Sequence, residues 1–405
     1  MPSSFENWRR TPGGSAATTV IYASLGRNLF RYELDVGSCR LSLREPVELP
    51  DTVQYAWPHP GKPYLYVVSS KDCPRGGTGV GHHLTAFYID PRDGGLTQIG
   101  RPAPLRHRPI HMSLDRAGNF ALIAYANPSA VSVHGLHDDG SIGAEIPQAA
   151  DLETGIYPHQ ILAMPGNKTV VLVCRGYNAE AGRPEEPGAL QFFTLRADGQ
   201  LLPKAVVAPN GGLGFGPRHL DFHPHRPWVY VSLERQSALQ LFAIGPDGAL
   251  AAAADHSAGY LRYPDKVFPR QMGGTVHVHP NGRFVYAVNR PDQTAQTDGK
   301  QVLQGGENSL VVFSIDQKTG ELTLLQHIDP LTIHVRTFTI DATGQTLVAA
   351  GILPLWVDDD AGLRYVPAAL STFRIGQDGR LAFVEKHDIP THTEPQWWMG
   401  SAHRV

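Results

Sequence analysis

The chain has 405 residues, 41% of them hydrophobic, with 35 Lys and Arg against 38 Asp and Glu for a formal net charge of -3. That balance excludes the basic footprint of a nucleic-acid binder, and no apolar run approaches the length that spans a bilayer. The 42 glycines and 33 prolines are spread evenly through a chain apolar enough to fill a core, which points to short strands and tight turns rather than disorder.

Cys39, Cys73 and Cys174 are scattered, odd in number and without CxxC spacing, so neither a disulfide framework nor a zinc pattern is expected. The opening MPSSFENWRRTPGGSAATT carries no apolar h-region. No signal peptide is expected there, and the cytoplasm is the default location. Residues 1–17 read as a loose polar lead-in and residues 18–405 as one domain.

From residue 20, VIYASLGRNLFRYELDVGSCRLSLREPVEL reads as three strands, without the first strand seen in later units. That first strand and its turn appear at Val53 (VQYAWPHPGKPYLYVVSS), Pro109 (PIHMSLDRAGNFALIAYA) and Pro158 (PHQILAMPGNKTVVLVCR). They return at Pro217 (PRHLDFHPHRPWVYVSLE), Gly273 (GGTVHVHPNGRFVYAVNR) and Val335 (VRTFTIDATGQTLVAAG). Each run is short, rich in β-branched and aromatic residues and bounded by turn residues, which favours strands. The fullest copy is Gly216–Ala243, GPRHLDFHPHRPWVYVSLERQSALQLFA, with a third strand at its end. Each unit continues to a Gly-containing turn such as LRADGQL, IGPDGAL or IDQKTGEL, and then to a fourth run. Starts spaced by roughly 50 to 60 residues and four strands per unit predict an all-β propeller. The C-terminal EPQWWMGSAHRV supplies the first strand that the N-terminal unit lacks. The termini therefore share one blade, the ring closes, and the count is seven.

The phrases PRHLDFHP and VHPNGRFVYAVNR, and the pairing of PHQ with PRH one unit later, resemble the seven-bladed β-propeller lactonase family. That family includes the propeller type of 6-phosphogluconolactonase and the 3-carboxy-cis,cis-muconate lactonizing enzyme. The resemblance covers about residues 18–403 and implies a metal-free active site of one histidine, two arginines and a glutamate.

In an up-and-down blade the first strand starts on the face where the second ends. Counting back from each turn places Gln54, Ile110, His159, Arg218, Gly274, Arg336 and Gln396 in a ring around the channel mouth. The second strands deliver Glu234 and Arg290 to the same face. Long connections after Val68, Cys174, Val288 and Ala350 project over it, and long loops on a rigid scaffold usually carry function. They offer Lys71, Arg75, Arg183, Lys300 and Arg364 as further cations, whereas the run from Arg101 to Arg108 reads as a solvated connection.

His159 is the acid/base candidate, because imidazole titrates nearest neutral pH. Glu234 is expected to act as a second base or to orient the histidine or a water. Arg218 and Arg290 present planar forks for an anionic group and for an oxyanion at a lactone carbonyl. Arg336, His111, His277 and Gln54 are the further substrate-binding candidates.

These residues suit hydrolysis of a small anionic sugar-acid lactone without a cofactor or metal, 6-phosphogluconolactone being the substrate the resemblance implies. The same four residues would also serve a muconate-type cycloisomerase. An interaction scaffold is the reading from a different class, and the convergence of ionisable residues on one mouth disfavours it. His277 and His279 share a strand face, but no third ligand has metal spacing, and His279 matches the turn histidine His223. Asp358 to Asp360 lacks an EF-hand pattern, Gly76 to Gly81 lacks the lysine of a phosphate loop, and no GxSxG occurs. Trp397 and Trp398 are expected to lock the closing strand, the alternative being that one of them faces the channel.

Overall fold

The computed structural model describes residues 19–71, 81–246, 248–359, 362–391 and 394–402. The lead-in at residues 1–17, Cys73, Arg75, the run from Gly76 to Val80 and Asp360 lie outside the described residues.

Seven four-stranded antiparallel sheets stand where the repeat places seven blades. In the Gly216 unit the order from the inside out is Pro217–Phe222, Trp228–Leu233, Ala238–Ala243 and His256–Gly259. The second strand of each blade is almost wholly buried, being covered by a neighbouring blade on both faces. It therefore reads as a continuous apolar run rather than an alternating one, as in TVVLVC and FVYAVN, where every residue is buried.

The ring closes as expected. Met399–Ala402 becomes the inner strand of the blade formed by Thr19–Leu25, Asn28–Asp35 and Arg40–Glu48, with Val20 opposite Ala402 and Ala23 opposite Met399. Seven apolar clusters follow, one between each pair of neighbouring blades. The last of them joins Ile21 and Ala23 to Val348 and Ala350 across the closure.

Two polar devices repeat between blades. Tyr22, Tyr66, Tyr230 and Tyr286, all on second strands, donate their hydroxyls to the carbonyls of Gly94, Gly140, Gly320 and Gly379 at 2.6, 3.0, 2.9 and 2.8 Å. Those glycines hold the outer turns of the next blade, at φ between 78 and 85°, so the turn chemistry and the blade contact are one feature. The histidines that end first strands form the other device. His223 accepts the amides of His225 and Arg226 at Nδ1 and donates Nε2–H to the Gly282 carbonyl at 2.8 Å. His279 likewise accepts the Asn281 amide and donates to Gly344 at 2.8 Å. Their nitrogens are spent on turns, as the sequence suggested, and not on a metal.

The structure adds an eighth sheet. The insertion after Val288 forms the hairpin Thr294–Thr297 and Lys300–Leu303, and the insertion after Ala350 forms Leu355–Asp359 and Gly362–Val366. The hairpins pair in parallel through Val302 opposite Trp356 and Leu303 opposite Val357. Leu303, Ile333 and Val366 give this sheet a small core of its own. Its roots adjoin Arg290 and Ile352, so it stands at the channel mouth as a built rim and not as a loose loop. Among the described residues no helix is long and apolar enough to cross a membrane.

Candidate active site

The inner strands reach the channel mouth through a shared irregularity. The register to the second strand slips between Val53 and Tyr55, Pro109 and His111, Pro158 and Gln160, Pro217 and His219, Gly273 and Val276, and Val335 and Thr337. A bulge of this kind re-aims the side chain of the extra residue. The residues so treated include Gln54, Ile110, His159, Arg218, Gly274 and Arg336, the ring expected from the repeat. The closing blade differs. The Gly273 amide donates to the Glu234 carbonyl at 2.7 Å, and the Gln396 amide donates to the Ile352 carbonyl at 3.0 Å. Gln396 is thus level with Gly273, and Trp397 takes the ring position in its place.

The second strands bring Arg175, Glu234 and Arg290 to this ring, sixteen residues after His159, Arg218 and Gly274 respectively. Glu234 is the hub. Its Oε2 accepts from Arg175 Nη1 at 2.7 Å. Its Oε1 accepts from Arg290 Nη2 and lies 2.9 Å from Arg218 Nε, a charge contact whose N–H points off the oxygen. Glu234, Arg218 and Arg290 are each at most 5% exposed. Burial by itself would raise the Glu234 carboxyl, but Arg290, Arg175 and Arg218 outweigh it and hold the group down at about 2. Arg218 is pushed the other way, well below the ordinary guanidinium, by burial and then by Arg290. The two directions agree with the stoichiometry: three cations share one carboxylate, so the carboxylate is satisfied and the cations are not.

Glu234 was expected to serve as a base or to orient His159. The structure gives it another task. Both of its oxygens are taken by guanidinium groups, and a carboxylate held at about 2 is a poor proton acceptor at neutral pH. It fixes the arginines.

His159 stands on the other side of Arg218, buried, with its ring 5.1 Å from that of His219 and 6.3 Å from that of Tyr157. Burial first, and then Arg218, His219, Arg336 and Arg175, hold it well below the ordinary imidazole value. It is therefore neutral at pH 7, and its buried Nδ1 has no partner among the described residues.

The other candidates divide. Arg336 lies in the ring, its guanidinium 4.8 Å from the centre of the Trp397 ring. Gln54 lies in the ring too, but its amide oxygen accepts from Arg108 Nη2 at 2.7 Å. His111 sits one level down the channel, against Tyr55 at 4.1 Å, and burial with Arg218 and Arg336 pushes it down to about 3. Its Nδ1 faces the Ile161 amide at 3.4 Å, which assigns the proton to Nε2. His277 is deeper still, 3.6 Å from Asp221 and edge-on to Phe338, away from the mouth.

Several residues were missed or misplaced by sequence reasoning. Arg175 was missed, although the sixteen-residue step that marks Glu234 from Arg218 marks it from His159. Arg108 ends a run read as solvated. Arg106 is indeed on the surface with Glu145 at 3.1 Å, whereas Arg108 turns in to Gln54. Among the described loop cations, Lys71 is exposed, Arg183 pairs with Glu186, Lys300 covers Trp356 at 4.1 Å and Arg364 is exposed. Among the described residues no three His, Cys, Asp or Glu side chains are grouped to hold a metal.

Two more residues were invisible to patterning. Tyr157 and His334 each precede an inner strand and lie in the left-handed region, at φ 56 and 55°, where the Pro217 strand has Gly216 at 45°. Bulky residues adopt this region reluctantly. Each touches an arginine of the cluster. The Arg175 guanidinium lies 4.2 Å from the centre of the Tyr157 ring. His334 donates Nδ1–H to the Pro291 carbonyl at 3.3 Å and accepts Arg290 Nη1 on Nε2 at 2.9 Å. His334→Gly relieves the backbone and releases Arg290. Its stability is expected to stay within about 1 kcal/mol of the parent, since the two effects oppose. Its kcat/KM is expected to fall roughly tenfold or more through misplacement of the fork. A thermal melt beside steady-state kinetics checks this; lower stability with unchanged kinetics would make His334 a packing residue only.

The comparisons with known proteins agree with this geometry. A family model described as lactonase, 7-bladed β-propeller, matches residues 17–352. The 6-phosphogluconolactonase of Cronobacter sakazakii is 28% identical over 312 residues, covering 77% of this chain and 80% of that protein. The 6-phosphogluconolactonase of Serratia proteamaculans is 27% identical over 319 residues, covering 77% and 81%. Among solved structures, a periplasmic gluconolactonase of Pseudomonas aeruginosa aligns at a TM-score of 0.68 with 18% identity, over 95% of this chain and 99% of that one. A Lactobacillus plantarum protein aligns at 0.66 with 17% identity, over 96% and 99%. These two likenesses support the fold.

Proposed function

The chain belongs to the seven-bladed β-propeller lactonase family and is a lactone hydrolase, and we propose that it opens a small anionic sugar-acid lactone without a metal, 6-phosphogluconolactone being the first candidate. The observation that carries this reading is a buried His159 beside three arginines clamped on one carboxylate. Such a mouth holds excess positive charge and repels a cationic substrate.

The step follows from the charges. A water oxygen bonds to the lactone carbonyl carbon while His159 takes its proton. The carbonyl oxygen becomes an oxyanion, and Arg218 and Arg290 still have N–H groups beyond those directed at Glu234, His219, Gly273 and His334. Those donors are fixed before the reaction, so they need no reorganisation as charge develops. The arginine field that keeps His159 a weak base in the free enzyme is partly cancelled by the oxyanion. The imidazole thus becomes a better base as the transition state forms, which is differential stabilisation. When the tetrahedral species collapses, the ring C–O bond breaks and His159 returns its proton to the leaving oxygen.

The test is a pH-stat assay of 6-phosphogluconolactone and of unphosphorylated aldonolactones, with and without chelator. Turnover of the phosphorylated lactone, unchanged by chelator, is expected. If no lactone on the panel is opened, the hydrolytic reading goes. If chelator stops the reaction and added divalent metal restores it, the metal-free assignment goes.

A further inference from the structure

The cations of the mouth fall into two groups. Arg175, Arg218 and Arg290 converge on Glu234. Arg336 does not. Among the described residues no carboxylate reaches its guanidinium, which instead lies over the Trp397 ring at 4.8 Å. Its position is crowded but open on one side, and burial together with Arg290 and Arg108 pushes it down to about 10. A desolvated charge without a counter-ion is unfavourable by itself. The same holds on a smaller scale for the Trp397 Nε1–H, which is buried and has no acceptor among the described residues.

A guanidinium lying over an indole face keeps its N–H groups available to a further acceptor. That fork with an indole N–H on the adjoining ring is a donor set for a multi-oxygen anion. We propose that Arg336 and Trp397 form an oxyanion-binding subsite for the charged group of the substrate remote from the lactone carbonyl, with a phosphate ester as the ligand class. This rests on the lactonase reading for its role in catalysis, although not for its ability to bind an anion. It divides the mouth into a reacting end, fixed by Glu234, and an anchoring end on the neighbouring inner strands. The bulge that carries Arg336 brings it to the same ring as His159 and Arg218, so one small molecule can reach both ends.

The test begins with calorimetric titration of inorganic phosphate, and of gluconate as the carboxylate arm, into the parent protein, Arg336→Ala, Arg336→Lys and Trp397→Phe. Phosphate is expected to bind the parent, about tenfold or more weakly in Arg336→Ala, and at an intermediate strength in Arg336→Lys, which keeps the charge and loses the fork. Trp397→Phe keeps a ring face and loses the N–H, so it is expected to weaken phosphate by a smaller factor. Kinetics on paired lactones gives the second readout. Arg336→Ala is expected to raise KM for the phosphorylated lactone at least tenfold more than for its unphosphorylated counterpart, with a smaller change in kcat. No phosphate binding by the parent, equal phosphate affinity in parent and Arg336→Ala, or gluconate preferred over phosphate at this position would each overturn the proposal. Failure of the parent to open any lactone would remove the hydrolytic reading and leave the phosphate result standing. A melt of each variant confirms that it is folded, and Arg336→Lys serves if Arg336→Ala is not.

Discussion

Replacing Glu234 with glutamine is expected to cost the fold about 3–5 kcal/mol, because it strips the counter-ion from buried guanidinium groups and leaves them facing one another. Glutamine keeps the size and one acceptor, so the loss is electrostatic and not a cavity effect. The depressed carboxyl points the same way. Glu234 is held at about 2 against an ordinary value of 4.5, and a difference of that size corresponds to roughly 3 kcal/mol of linked stability. The sign follows from the depression. The contribution is fully present above the unfolded value and is lost as the pH falls from there towards the folded one. The parent should therefore lose stability steeply between about 4.5 and about 2, while Glu234→Gln lacks that portion of the slope. Denaturant titrations of both proteins across this range decide it; parallel pH profiles would show that Glu234 is not the hub. Glu234→Gln combined with Arg290→Met should recover much of the lost stability, since it removes one of the stranded charges. It should recover none of the activity, because the oxyanion donors are no longer held.

That hub marks the boundary of what could be read in the sequence. Repetition made the ring legible. The same strand, turn and strand recur without gaps, so His159, Arg218 and Arg336 could be aligned by counting, and Glu234 and Arg290 followed from the ends of the second strands. Arg175 obeys the same count, but it opens the polar, Gly- and Pro-rich insertion RGYNAEAGRPEEPGA, whose composition reads as loop from its first residue. Trp397 was displaced by one residue because the closing strand has no turn after it from which to count back. The eighth sheet was half legible. Asp298 and Gly299, at φ 50 and 74°, make the mirror-image turn that Asp-Gly signals in a hairpin. The parallel pairing of that hairpin with one from the next blade joins residues more than fifty positions apart, as Val302 and Trp356 show, and no local pattern encodes it. The task of Glu234 was hidden for a related reason. Whether a carboxylate is a base or a counter-ion depends on how many guanidinium groups surround it. That number is a property of three blades meeting, contributed by Arg175, Arg218 and Arg290 on separate units.

His159 gives the largest expected effect on rate. His159→Gln, which keeps a polar side chain of similar reach but takes no proton at neutral pH, should lower kcat by about 10²–10⁴. Stability should change little, because the buried Nδ1 of the ring has no partner among the described residues to lose. The pH profile tests the assignment more closely than the rate alone. A general base must be unprotonated, so kcat/KM for the free enzyme is lost as pH falls through the base's pKa. Burial and the arginine field hold His159 well below the usual imidazole value. Activity should therefore stay level from neutral pH down past that usual value and fall only in more acidic solution. Arg218 is the first of the charges that depress His159. In Arg218→Met, alongside a lower rate from the missing oxyanion donor, the acid limb should move up towards the ordinary imidazole value. A structural histidine predicts neither shift. An acid limb already at or above that ordinary value in the parent, or a His159→Gln variant that keeps more than about a tenth of the rate, would remove His159 from the chemistry and leave the arginines to act on a water that some other group deprotonates.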